Sequence, residues 1–68
     1  RTKHFYQLSE SYFKKAIEKE KSDKLSEAIQ QYNTAKDYAE KSDNKAVQYN
    51  SVARIEICKL KSLSIQFI

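Results

Sequence analysis

Four features of this chain have residue types that can do chemistry: His4, Cys58 and the carboxylate pairs Glu18/Glu20 and Asp37/Glu40. A zinc centre needs three or four converging ligands. His4 is the only histidine, and it stands near a terminus, where helices fray. Cys58 is followed by Lys59, and a nearby ammonium lowers a thiol pKa and makes a nucleophile. Adjacent residues on a helix diverge in direction, however, and free cysteine is among the most buried residue types. Cys58 is therefore read as a structural thiol. The carboxylates are answered by Lys14, Lys24, Lys36 and Lys41 and read as solvated surface charges. The expectation is a non-enzymatic protein with no catalytic residue, no metal site and no cofactor.

The elements that would carry any site follow from composition and periodicity. The chain has 68 residues, so it holds one small domain or a piece of a larger one. It has no Gly and no Pro, which argues against tight β-hairpins and phosphate-cradling loops. One cysteine excludes an internal disulfide, and with it a stapled secreted scaffold; a reducing, cytoplasmic setting is expected. No apolar run approaches the ~20 residues that span a bilayer. Ile65, Phe67 and Ile68 cluster at the end. That apolar end is read as a self-association surface, and the chain as a fragment of a longer one.

Apolar residues recur at three- and four-residue steps. The first run is Phe5, Leu8, Tyr12 and Ala16, widened by Tyr6, Phe13 and Ile17. The second is Leu25, Ala28, Ile29, Tyr32, Ala35 and Ala39. The third is Ala46, Tyr49, Val52, Ala53, Ile57 and Leu60. Ser22-Asp23 and Ser42-Asp43-Asn44 are the clusters suited to capping. The pattern predicts an all-α chain of antiparallel helical hairpins, with helices near 3–21, 24–41 and 44–60 and a fourth starting near Ser62 (62–68). Residues 1–24 carry seven basic and four acidic groups, net +3; residues 25–43 carry two and four, net −2. Residues 44–68 carry four and one, net +3. Opposite charge on successive helices is weakly attractive, and a shared basic face on the odd-numbered helices would favour anionic groups.

The stretch from Leu25 to Ala35, with Ala28, Tyr32 and Ala35 at its packing positions, resembles the second helix of a tetratricopeptide (TPR) repeat. Tyr12 and Ala16 stand where that family places an aromatic and a small residue, and the pair returns 37 residues later as Tyr49 and Ala53, beside Val52. The family's period is about 34, Lys15 and Lys19 replace apolar positions, Asp23 replaces the turn glycine, and Ile65 stands where a small residue belongs. Glu40-Lys41-Ser42-Asp43, then Ala46 and Tyr49 to Ala53, is locally similar to the repeats of Rap-type peptide-binding regulators. A second family fits the first half equally well. Lys15 to Glu18, then Glu27-Ala28-Ile29, Tyr32, Ala35 and Tyr38, resembles the first two helices of MIT domains, three-helix bundles that bind tails of ESCRT subunits. Arg54-Ile55-Glu56 and Lys59-Leu60-Lys61 match the third MIT helix with altered spacing.

The TPR resemblance implies a non-catalytic scaffold with a groove lined by the first helix of each hairpin. Carried onto this chain, the groove residues are Phe13, Ile17 and Glu20, then Asn50, Arg54 and Ile57. Asn50 offers donor and acceptor to a peptide backbone, and Arg54 offers a bidentate fork to a carboxylate. The expected partner is a protein or peptide with acidic groups. Nucleic acid is disfavoured, because lysines alternate with glutamates instead of forming a basic stripe. Membrane insertion is not expected. The alternatives are an MIT-like bundle and a helical segment that only oligomerises.

Overall fold

The computed structural model describes the backbone of residues 2–66 and the side chains of residues 3–64. All of the regular structure in this range is helical: α1 Thr2–Lys21, α2 Leu25–Lys41 and α3 Lys45–Gln66. Starts and stops agree with the sequence reading to about one residue, except at the end. The expected break at Ser62 is absent, and α3 runs on to Gln66. Phe67 and Ile68 lie outside the described residues, so the fourth helix expected over 62–68 has no counterpart within them.

The reason is visible at the two real breaks. In a chain without glycine, each helix stops on an aspartate in the left-handed region, Asp23 at φ 60° and Asp43 at φ 57°. Asp and Asn tolerate that region better than other non-glycine residues. The hydrogen bonds around both are those of a Schellman motif. Lys24 N–H donates to the Lys19 carbonyl (2.9 Å) and Asp23 N–H to that of Glu20 (3.0 Å). Asn44 N–H donates to the Ala39 carbonyl (2.8 Å) and Asp43 N–H to that of Glu40 (3.4 Å). The serines and aspartates thus end the preceding helices rather than starting the next. Asn44 alone caps forward, its Oδ1 accepting from Val47 N–H at 3.3 Å. Ser62-Leu63-Ser64 holds no Asp or Asn to take the left-handed turn, and the helix continues.

Three-residue turns force antiparallel neighbours. α2 therefore lies between α1 and α3 as the common packing partner, and α1 and α3 run in the same direction. Small side chains allow the close approach: Ala28, Ala35 and Ala39 of α2 and Ala16 of α1 are fully buried. Tyr32 fills the space between them, in one cluster with Leu25, Ile55 and Cys58. Phe13 meets Tyr32 edge-on at 5.5 Å. Towards the other end, Ala35, Ala39 and Val47 form a second cluster. Flanking it, Phe5, Tyr38 and Tyr12 stack in a row at 5.7 Å spacings.

The seam between α1 and α3 is polar. Ser9 and Asn44 are buried there, with Asn44 Nδ2 donating to Ser9 Oγ at 3.2 Å. Ser51 is buried on α3, and Glu20 is buried at the far end. These ties set the register of α3 along α1. They also overturn the sequence reading of α3. Its core residues are Val47, Ile55 and Cys58, while the stripe read as its packing face is turned outward. Tyr49 is 68% exposed, Val52 46% and Leu60 64%. Positions equivalent in burial are 35 residues apart, Ser9 with Asn44 and Ala16 with Ser51. The 37-residue echo pairs the half-buried Tyr12 with an exposed Tyr49, and buried Ala16 with exposed Ala53.

Candidate protein-binding groove

Glu20 is where the two basic helices meet. Its side chain lies at the end of α1, one turn beyond Ala16 on the same buried face. Three donors from two other helices converge on it. Tyr32 Oη donates to Oε1 at 2.8 Å, and Lys61 Nζ to Oε2 at 2.7 Å. Arg54 takes both oxygens, Nε donating to Oε1 at 3.1 Å and Nη2 to Oε2. Burial by itself would raise the Glu20 pKa; the hydrogen bonds from Lys61, Arg54 and Tyr32, with the Arg54 charge, outweigh it and hold the carboxyl at about 2. Tyr32 moves the other way, pushed up to about 12 by burial and by its bond to the carboxylate. Arg54 is raised above its ordinary value chiefly by its bond to Glu20. Cys58 is raised as well, by burial first and then by the Glu20 charge, which makes its thiol a poor nucleophile at neutral pH.

Glu20 and Arg54 were both expected to face a partner. Glu20 is instead 5% exposed and fully occupied within the chain. Arg54 does bind a carboxylate bidentately, but that carboxylate is Glu20; half-exposed, it keeps one edge towards solvent. Ile17, Glu20, Lys21, Arg54 and Lys61 line an open cavity of about 170 Å³ between α1 and α3. Lys61 separates it from a second hollow of about 480 Å³ lined by Asp23, Ile57, Leu60 and Ser64. Three of the six expected residues therefore share one cavity, and Ile57 lines the next. Phe13 is half-buried beside Tyr32 and Asn50 is exposed; neither lines these hollows. Of the expected self-association end, Ile65 falls in the last turn of α3 outside the described side chains, and Phe67 and Ile68 lie beyond the described residues.

No family model, curated protein or solved structure matches this chain. The site must therefore be read from its own chemistry. The sequence reading missed Tyr32, Lys21 and Lys61. Tyr32 and Lys61 lie 12 and 41 residues from Glu20, beyond the reach of any local spacing rule. One signal was present: Glu20 shares a helix face with Ser9 and Ala16, which marks it as a buried carboxylate needing partners. Among the described residues, no three His, Cys, Asp or Glu side chains group closely enough to hold a metal ion, and no helix is long and apolar enough to cross a membrane.

Proposed function

We propose that this chain is a non-catalytic protein- or peptide-binding module, TPR-like in arrangement, whose ligand lies along the α1–α3 groove. The observation that carries this reading is the groove's lining. Ile17, Ile57 and Leu60 offer apolar contact beside Lys21, Lys61 and the outer edge of Arg54, three cations against the buried Glu20 and the exposed Asp23. Such a surface suits an extended segment that alternates apolar and acidic side chains. The lone thiol, buried and without a disulfide partner, suits a reducing, cytoplasmic setting. The TPR-like reading rests on the Ala28, Tyr32 and Ala35 spacing of α2; an MIT-like three-helix bundle, the second reading, accommodates the same order of helices.

The test is selection of peptides from a displayed random library against the 68-residue chain, followed by amide chemical-shift mapping. Enriched peptides are expected to carry carboxylates beside apolar residues and to shift Ile17, Lys21, Arg54, Ile57 and Lys61. The exposed Lys21→Glu substitution should weaken them by about tenfold, the effect of one reversed rim charge plus lost pairing. Peptides that bind this variant as well as the parent, or that shift only other faces, overturn the groove.

A further inference from the structure

The side of α3 turned away from its buried residues carries a second feature, which adjoins the groove at Leu60. Ala46, Tyr49, Ala53, Glu56, Leu60 and Leu63 are all exposed and follow one another at alternating steps of three and four residues. That spacing is the seam of a helix-to-helix contact. It runs from 46 to 63, about 27 Å at 1.5 Å per residue, the reach of one partner helix. Val52, also exposed, widens it. Isolated exposed apolar residues need no explanation, but five apolar residues in register along one helix face, interrupted only by Glu56, mark an interaction surface on a small domain.

Charge indicates what fits there. Lys45, Val52 and Lys59 stand seven residues apart along one edge of the stripe, and both lysines are exposed. Glu56 is the one acidic residue on the stripe, 3.6 Å from Lys59. Two symmetric pairings with a second copy can be drawn, and each opposes like charges. An antiparallel copy sets the Lys45/Lys59 edge against the same edge of its partner; a parallel copy sets Glu56 against Glu56. A different helix with carboxylates on the facing edge has neither conflict.

We propose that the outer face of α3 docks an amphipathic helix of a separate polypeptide, with an apolar stripe bordered by carboxylates that meet Lys45 and Lys59. This site borders the groove along α3 and shares Leu60 with it, whereas Tyr49, Val52, Ala53 and Leu63 belong to the stripe alone.

The experiment uses the intact 68-residue chain and two synthetic helical peptides of about three heptads with identical leucine and alanine stripes. One carries glutamate on the facing edge and the other lysine. Sedimentation of the chain alone comes first, and a monomer is expected. The glutamate-edged peptide should then bind at least about tenfold more tightly than the lysine-edged one, and increasing salt should erode the difference. Its amide shifts should map to Tyr49, Val52, Ala53 and Leu63. The Lys45→Glu/Lys59→Glu chain should reverse the preference, with unchanged helicity by circular dichroism. Leu63→Gln, which leaves both lysines and the groove lining in place, should weaken both peptides. Equal affinity for both peptides, binding of neither, shifts confined to the α1–α3 groove, or a chain that dimerises through this stripe each overturns the proposal.

Discussion

Glu20 shows how far one side chain can organise a small helical domain. Two helices of net positive charge lie side by side, and this carboxylate is buried where Arg54 and Lys61 approach α1. Removing one partner of a buried pair strands the others. Because Arg54 and Lys61 are partly exposed, Glu20→Gln should cost about 2 kcal/mol rather than the 3–5 kcal/mol of fully buried pairs. Urea unfolding checks this, and added salt should recover part of the loss by screening the cations. The pH dependence has a definite sign. The folded-state pKa is depressed from 4.5 to about 2, so this stabilisation is complete above 4.5 and is lost as pH falls towards 2. It is of the same order as the cost of Glu20→Gln, about 2–3 kcal/mol, and that substitution should flatten this limb of the stability profile. Tyr32 acts at the alkaline end. Its pKa is raised from 10.0 to about 12, so its contribution is intact below 10 and declines between 10 and 12. Ser51 offers the opposite case. Its hydroxyl is buried with no hydrogen-bond partner, while the corresponding position on α1 is Ala16. Ser51→Ala should therefore stabilise the chain by about 1 kcal/mol in the same unfolding experiment, by removing an unsatisfied group.

The helices end without glycine, and that places strain at two known positions. Asp23 and Asp43 each hold a positive φ, a conformation costing non-glycine residues roughly 1 kcal/mol. Asp23→Gly and Asp43→Gly should each raise stability by about 0.5–1 kcal/mol, since neither alters the Schellman hydrogen bonds. Thermal melts of the two variants check it; a loss at either position would mean that the aspartate side chain itself holds the turn. Asn44 differs from its counterpart Lys24, which makes no side-chain cap to α2. Asn44 caps α3 and also bonds Ser9. Asn44→Ala removes a helix cap and the tie between α1 and α3 together, and should cost about 2 kcal/mol. Reduced amide-exchange protection near Val47 and Gln48 would localise the effect.

At the scale of the whole molecule, the chain buries a small core and leaves much apolar surface on one helix. A 68-residue domain has a total stability of roughly 3–10 kcal/mol. The substitutions above therefore move a large share of it. α3 is the least one-sided of the three helices. Val47, Ile55 and Cys58 face α2 and α1, and Tyr49, Leu60 and Leu63 face outward. A helix apolar on both sides needs two sets of neighbours, and α1 and α2 supply one. Any partner helix that covers the second face should raise the melting temperature of the chain, by an amount that grows with the logarithm of its concentration over its Kd. Ligands of the α1–α3 groove should do the same, and because both surfaces include Leu60 the two effects should fall short of adding.

Helix content, the order of the three helices and the position of both turns were legible in the sequence. They depend on local chemistry, namely three- and four-residue apolar spacing, side chains of high helix propensity, and aspartates that tolerate a left-handed turn. The α2 core was legible for the same reason, since Leu25, Ala28, Tyr32, Ala35 and Ala39 leave that helix one apolar face. Which face of α3 turns inward was not. Its outer stripe is the more conspicuous by composition, yet the buried side carries the cap from Asn44, the small Ser51 and Cys58, and the partner for Glu20. The choice is made by contacts between residues 34 to 41 positions apart, which no periodicity within one helix can register. Packing and charge pairing across helices decided it, and so decided which residues of α3 were left facing solvent.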